Sequence, residues 1–295
     1  MSNFKYWFLA ARPWSFAMSV ISVTVGAVLA SADGYFSAFL YLLTVLGIVF
    51  MHAGGNLLND YFDVTGGIDT LQAGTARYRP HPLLEGKLTP VGVRNAAFAF
   101  LAVGCTFGIA LTLICGWPVL VIGVLGAFGA VAYTAPQVGY KYMAFGELGV
   151  FLIWGPLMVE GAYFVQTGRL DIEPVIVSLP LGILVAQTLL ANNMRDIEHD
   201  TGRGFKTVAN LLGVTSSLTL YLLLMVFAYA AVAFMAFLGP LTTWSLLVFL
   251  SVPLALRLLN EMRSGVPEDA DARTGNLDIV FGFLLVISLI LEAAL

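Results

Sequence analysis

The chain has 295 residues, of which 59% are hydrophobic and only 11% charged, with a formal net charge of −4. A water-soluble domain of this length would need a far larger charged surface, so composition excludes a soluble globular enzyme and places the chain in a bilayer. No nucleic-acid partner is expected, and nothing in the sequence sets an oligomeric state.

Measured against the roughly 20 residues that an α-helix needs to cross hydrocarbon, the apolar runs predict nine spans, near 14–32, 37–58, 91–114, 117–135, 147–167, 174–193, 215–238, 241–259 and 277–295. These leave no soluble domain, so residues 1–295 are expected to form one all-α integral membrane unit, with cap segments at about 59–90 and 194–214. The first span follows Ala11-Arg12-Pro13-Trp14. It is too long for a removable signal peptide and lacks a small-residue cleavage site, so it reads as a structural helix. Cys105 and Cys115 fall in the third span, ten residues apart on one helix, too distant for an intrachain disulfide.

Basic residues fix an orientation. Lys5 and Arg12 precede the first span; Arg77, Arg79, Lys87 and Arg94 lie between the second and third; Lys141 follows the fourth. Arg195, Arg203 and Lys206 lie between the sixth and seventh, and Arg257, Arg263 and Arg273 between the eighth and ninth, which puts 13 of the 14 Lys and Arg residues on one side and Arg169 alone on the other. The positive-inside rule then makes the N-terminus and the motif-bearing loops cytoplasmic and leaves the C-terminus outside.

Polar residues gather in two inter-span segments, 56–90 and 192–209. In the first, His52, Asn56, Asn59 and Asp63 step by four, three and four and share one helical stripe, with Asp60 beside it. Gly66 and Gly67 end that helix and leave Asp69 on a loop able to fold back over the carboxylates. In the second, Asn192, Asp196 and Asp200 step by four, and Arg195 lies among them. Each segment closes an even-numbered span four helices apart, which suggests a weak internal duplication.

Carboxylates at the mouth of an apolar bundle are costly unless paired or metal-bound. An all-oxygen set without converging Cys or His favours Mg²⁺, which binds through one or two carboxylates together with substrate phosphates. Two or three such ions bridging a diphosphate are expected, with Arg77, Arg79, Lys141, Arg195 and Lys206 neutralising the remaining charge. Ordinary pairing of loop Asp and Arg residues is the plainer explanation, and two separate acidic clusters backed by Asn weigh against it.

At these residues the chain resembles the UbiA-type membrane prenyltransferase superfamily, whose members carry Asn-Asp-x-x-Asp and Asp-x-x-x-Asp motifs on the second and sixth of nine helices. The resemblance runs the length of the chain. It is most similar to the menaquinone-forming branch, the 1,4-dihydroxy-2-naphthoate polyprenyltransferases, through Ala11-Arg12-Pro13, Asn59-Asp60-Tyr61-Phe62-Asp63 with Gly67-Ile68-Asp69, Tyr133-Thr134, Gly146-Glu147, Gly155-Pro156-Leu157, Tyr163-Phe164-Val165-Gln166 and Asn192-Asn193-Met194-Arg195-Asp196. Where the family pattern often has an Asp four residues after Asp63, this chain has Gly67, and Asp69 stands in for it.

The resemblance implies metal and diphosphate binding by Asn59, Asp60, Asp63, Asp69, Asp196 and Asp200, with Asp60, Asp63, Asp196 and Asp200 as metal ligands. It also implies diphosphate contacts from Arg77, Arg79, Lys141 and Lys206. The implied activity is transfer of a prenyl group from a polyprenyl diphosphate to an aromatic acceptor within a membrane lipid environment. If that acceptor is a dihydroxynaphthoate, alkylation at the carboxyl-bearing carbon is followed by loss of CO₂.

An isoprenoid cation must be kept from water, which a dry bundle closed by loop 64–90 would achieve. Asn56, Tyr133, Gln187 and Asn192 are the further candidates for lining the substrate cavity, with Tyr133, Trp154 and Tyr163 as aromatic faces for the cation. Core packing is an equal reading for each aromatic. Glu160 is too deep for the metal site, Glu147 reads as a helix-start residue, and His52 reads as a satisfied bundle histidine. Rival readings are a cation transporter or channel, and the same chemistry on 4-hydroxybenzoate, an ether lipid, a porphyrin or the prenyl chain's own double bonds.

Overall fold

The computed structural model describes residues 3–294 except 72, 137, 203 and 204, so Arg203 of the topology count lies outside the described residues. Among those residues every regular element is helical, apart from one isolated bridge between Met143 and Lys206. Eight helical stretches are long and apolar enough to cross a membrane, and a shorter apolar helix, α6 (Trp117–Ala132), accompanies them. The chain is an integral membrane protein, and its bundle agrees approximately with the nine spans read from the sequence.

Local chemistry sets the helix ends. The Ser37 hydroxyl accepts from the amide of Leu40 at 3.4 Å and opens α3 (Ala38–Thr65). Thr89 accepts from the amide of Gly92 at 3.1 Å and Pro90 takes the first position of α5 (Pro90–Cys115), where its missing N–H costs nothing. Asp171 caps α9 (Ile172–Arg195) by accepting from the amide of Glu173 at 3.1 Å.

Several features depart from the predicted spans. A helix α1 (Asn3–Ala11) precedes α2 (Phe16–Ala32), because Arg12 adopts left-handed φ 55, ψ 55 and Pro13 cannot continue the helix. The fourth span ends at Ala132 rather than 135, since Pro136 lies just ahead. The ninth, α13 (Ala270–Ala294), begins well before residue 277, with a polar first turn projecting past the apolar run.

The fifth span is broken rather than continuous. Between α7 (Gly146–Leu152) and α8 (Met158–Thr167) lies a π-helical turn, Ile153–Leu157, in which Gly155 has φ −84, ψ −105 and is followed by Pro156. This turn lies against α9: a Cβ on Gly182 would stand 2.6 Å from the Phe151 carbonyl oxygen and 3.3 Å from Gly155 Cα. Backbone contact this close is available only to glycine, and it carries Trp154 to the inner wall.

A cap helix α4 (Gly74–Tyr78) and a short α10 (Ile197–Thr201) flank the two motif segments, and the long α11 (Val208–Leu238) follows. A 3₁₀ stretch, Thr243–Ser251, leads into α12 (Val252–Ser264). The motif-bearing α3 packs most extensively on α5, and the motif-bearing α9 on α11, so each half repeats one pairing. The main buried apolar cluster centres on α9, α11 and α13. The outside is apolar too, with Leu113 82%, Trp117 73% and Leu238 76% exposed, as a lipid-facing surface requires.

Gly182→Ala should lower the unfolding temperature in detergent, consistent with an overpacking cost of about 1–3 kcal/mol, and should shift tryptophan emission as Trp154 moves. Gly108→Ala, whose Cβ meets nothing within 4 Å, should leave stability unchanged.

Candidate active site

Asp63 ends a helix inside an apolar bundle, so its two oxygens must be met by donors. Lys141 Nζ reaches Oδ2 at 2.6 Å, and Asn59 Nδ2 reaches the same oxygen at 2.6 Å. Lys141 also donates to Asn59 Oδ1 at 3.0 Å. The other oxygen, Oδ1, accepts from Thr134 at 3.2 Å and from the Tyr142 hydroxyl. Thr134 entered the sequence reading only through the Tyr133-Thr134 match, and Tyr142, in the short 3₁₀ turn Tyr140–Tyr142, carries no periodic signal that would mark it.

Gly67 lets the chain turn back. Its φ of +70° is strained for any residue with a Cβ, and the turn sets the amides of Ile68 and Asp69 on the Asp63 carbonyl, at 2.7 and 2.9 Å. Asp69 thereby returns over the carboxylates, as the sequence suggested. Burial would raise its pKa, but the neighbouring His81, together with Lys141 and Arg12, holds it below the ordinary carboxylate value. His81 is buried, with Nε2 3.7 Å from both Asp60 Oδ1 and Asp69 Oδ2. Sequence reasoning missed it, since a His-Pro pair in a long loop carries no periodic signal.

The second motif faces the first. Asn192, Asp196 and Asp200 line the same cavity as Asn56, Asn59, Asp63, Asp69, Tyr133 and Lys141. Asp200 is pushed up to about 7, by burial and by the nearby charge of Asp196, and further by Asp69 and Asp63, with Lys141 opposing. Negative potential therefore concentrates between the two motifs, in a place that a cation would relieve.

Arg195 is a hub. Its guanidinium holds Asp196 by two bonds, 3.0 Å from Nε to Oδ1 and 2.6 Å to Oδ2, and donates to Asn192 Oδ1 at 2.8 Å. It also reaches Asp271 Oδ1 at 2.7 Å and Thr75 Oγ1 at 2.9 Å, while the Tyr78 ring lies 5.4 Å away.

Several expected contacts are rearranged. Asp60 is locked by Arg12 and stays off the cavity wall. Arg77 and Lys206 are exposed, and neither they nor Arg79 and Arg195 line the cavity. Burial and the nearby charge of Arg12 bring Arg79 down to about 10. Gln187 was expected on the cavity wall; it instead donates to the Tyr221 carbonyl at 2.9 Å, because its side chain leaves α9 on the face toward α11.

Other polar groups are accounted for by packing. Glu160 accepts from the Asp171 amide at 2.9 Å at the end remote from the motifs, and Glu147 accepts from Asn193 at 2.9 Å, tying α7 to α9. His52 sits between the hydroxyls of Ser15 and Ser19, at 3.1 and 2.7 Å, and is satisfied.

The cavity is about 640 Å³. Its head is the polar cluster just described. Its continuation is apolar and small, lined by Gly104, Gly108, Gly123 and Ala127 of α5 and α6. Among the described residues no three His, Cys, Asp or Glu side chains converge tightly enough to cage a metal by themselves.

Residues 19–284 match the UbiA prenyltransferase family. The chain belongs to this family. It is 32% identical over 293 residues to "UbiA prenyltransferase domain-containing protein 1" of Mus musculus, covering 97% of this chain and 84% of that protein. It is 29% identical over 289 residues to the 1,4-dihydroxy-2-naphthoate octaprenyltransferase of Bacillus subtilis (strain 168), covering 95% and 91%.

Among solved structures, a UbiA homolog from Aeropyrum pernix K1 superposes with a TM-score of 0.74 at 18% identity, covering 94% of this chain and 98% of that one. One from Archaeoglobus fulgidus, bound to GPP and Mg²⁺, gives 0.65 at 16%, covering 96% and 99%. This UbiA-family chain is a membrane-embedded prenyltransferase.

Gly67→Ala should strain the turn by roughly 1–2 kcal/mol and displace Asp69. Prenyl transfer should fall at least about tenfold while circular dichroism in detergent keeps the helical signal.

Proposed function

We propose that this prenyltransferase moves a polyprenyl group from its diphosphate to 1,4-dihydroxy-2-naphthoate, with decarboxylation, in a Mg²⁺-dependent reaction of menaquinone biosynthesis. One observation carries the donor half: Asp63 and Asp196, 133 positions apart in the sequence, line one cavity whose head is polar and whose continuation is apolar. The acceptor assignment is supported by the Bacillus subtilis relative and by the sequence matches at Gly67-Ile68-Asp69 and Asn192-Asn193.

The donor set fits Mg²⁺. It consists of hard oxygens from Asp63, Asp69, Asp196 and Asp200, backed by Asn59 and Asn192. Solved relatives are bound to GPP or DMAPP together with Mg²⁺. When bound, the ion supplies stabilisation for the negative charge that gathers on the departing diphosphate.

The protein's own groups do the rest. Lys141, on the cavity wall and already hydrogen-bonded to Asp63, is placed to give its ammonium to a phosphate oxygen. Tyr133, whose ring lies 5.2 Å from Lys141 Nζ, and Tyr142, at 4.7 Å, present aromatic faces at the head of the cavity. The glycine-lined continuation takes the isoprenoid tail and keeps water from the allylic carbon. Asp60 and His81 fix the first motif from behind, and Arg12, which holds Asp60, lines the cavity as well. The site opens to the cytoplasm of the cell membrane, as the basic loops indicate.

Purified protein in nanodiscs, given octaprenyl diphosphate and a panel of aromatic acids, should yield the decarboxylated prenyl naphthalenediol by mass. Product from 4-hydroxybenzoate alone would overturn the acceptor assignment. Asp63→Asn and Asp196→Asn should each cut turnover at least about 100-fold, and wild-type turnover that survives thorough chelation would rule out the metal-dependent reading.

A further inference from the structure

Arg195 fills one acceptor position on each oxygen of Asp196 and so competes with a metal-bound diphosphate for that carboxylate. Arg195 in turn cannot simply let go, because its side chain is only 4% exposed, and a guanidinium buried this deeply needs a counter-charge. The structure supplies a second one. Asp271, in the first turn of α13, meets Arg195 NH1 with Oδ1 at 2.7 Å, and the carbonyl of Glu268 accepts from the same nitrogen at 3.3 Å.

The hydrogen bonds of the cap go to this pair, while its backbone lies against Asp196 as well. Thr75 accepts from Arg195 NH2 at 2.9 Å, the Tyr78 hydroxyl donates to Asp271 Oδ2 at 2.8 Å, and the Tyr78 ring lies over the guanidinium. The backbone of α4 is pressed against the same spot: a Cβ on Gly74 would meet Asp196 Oδ1 first and stand 2.5 Å from Arg195 Nε. Asp271 belongs to neither acidic motif, yet it lines the cavity with them.

We propose that Asp271 is a positioning residue that retains Arg195, and with it the cap helix α4, when Asp196 exchanges the guanidinium for the metal-bound diphosphate. The proposal rests on the Mg²⁺-diphosphate reading above. Two carboxylates share one arginine in the arrangement described; after the exchange each anion has its own cation, and the cap stays closed over the reacting donor. No covalent step is involved.

The test uses the full chain in nanodiscs, with a non-hydrolysable prenyl thiolodiphosphate as probe and trypsin cleavage after the exposed Arg77 as the report on the cap. Asp271→Asn should raise the Mg²⁺ concentration for half-maximal turnover at least about tenfold, leaving kcat at saturating Mg²⁺ within about threefold, because a lone Asp196 now holds Arg195 against the metal. In that variant Mg²⁺ plus the probe should speed cleavage after Arg77 severalfold, whereas in the wild type they should not. Asp271→Glu should restore both readouts. Tyr78→Phe should loosen the cap with the Mg²⁺ requirement unchanged.

An Asp271→Asn protein whose Mg²⁺ requirement stays within twofold of wild type, or whose cap is no more open with the probe than without it, would overturn the proposal. Wild-type turnover indifferent to Mg²⁺ would instead strike the underlying metal reading, and the two failures are separable because only the second appears in the unsubstituted protein.

Discussion

The arrangement depends on one electrostatic constraint: the motif carboxylates at the mouth of an apolar bundle are met by positive charge. Asp60 takes Arg12 from the bend after α1, Asp63 takes Lys141 from the loop after α6, and Asp196 takes its neighbour Arg195, which also holds Asp271. The first two pairings tie distant segments to the first motif, and Arg195 ties α9 to α13. The N-terminal helix, the loop after α6 and the cap helix are all gathered around the cavity head by cations bound to motif carboxylates or to their neighbours.

Lys141 and Arg195 each hold a motif carboxylate and each have a second partner at hand, Asn59 for the lysine and Asp271 for the arginine. On the proposed reading, donor binding is an exchange among charges already buried, with little net desolvation of the kind that makes new buried ion pairs costly. The apolar continuation between α5 and α6 needs no such exchange, since its glycine-rich wall makes few demands on a flexible hydrocarbon tail.

Much of this was legible in the sequence, because membrane helices announce themselves by length and hydropathy, and the two acidic stripes by four-residue spacing. Asn59, Asp63, Asp69, Lys141, Asn192, Asp196 and Asp200 all reach the cavity that this reasoning required. What escaped it lies on irregular backbone or depends on rotation about a helix axis. His81 and Tyr142 sit on loops whose course only tertiary packing determines. Gln187 has the right depth but the wrong azimuth, and Arg195 looked like a diphosphate ligand because sequence shows its charge and not the two carboxylates that hold it. The broken fifth span reads as an ordinary apolar run, and only the contact with Gly182 reveals why it breaks.

The shortness of α6 has a consequence of its own. Sixteen residues rise roughly 24 Å, less than the about 30 Å of hydrocarbon in a typical membrane, so α6 is too short to cross one alone. The segment after it carries a lysine and three tyrosines and includes a 3₁₀ turn, Tyr140–Tyr142, and the Lys141 amide donates to the Tyr133 carbonyl at 3.3 Å. The cation that meets Asp63 therefore stands on a connection and not on a spanning helix, and its aim is set by the bonds of that connection.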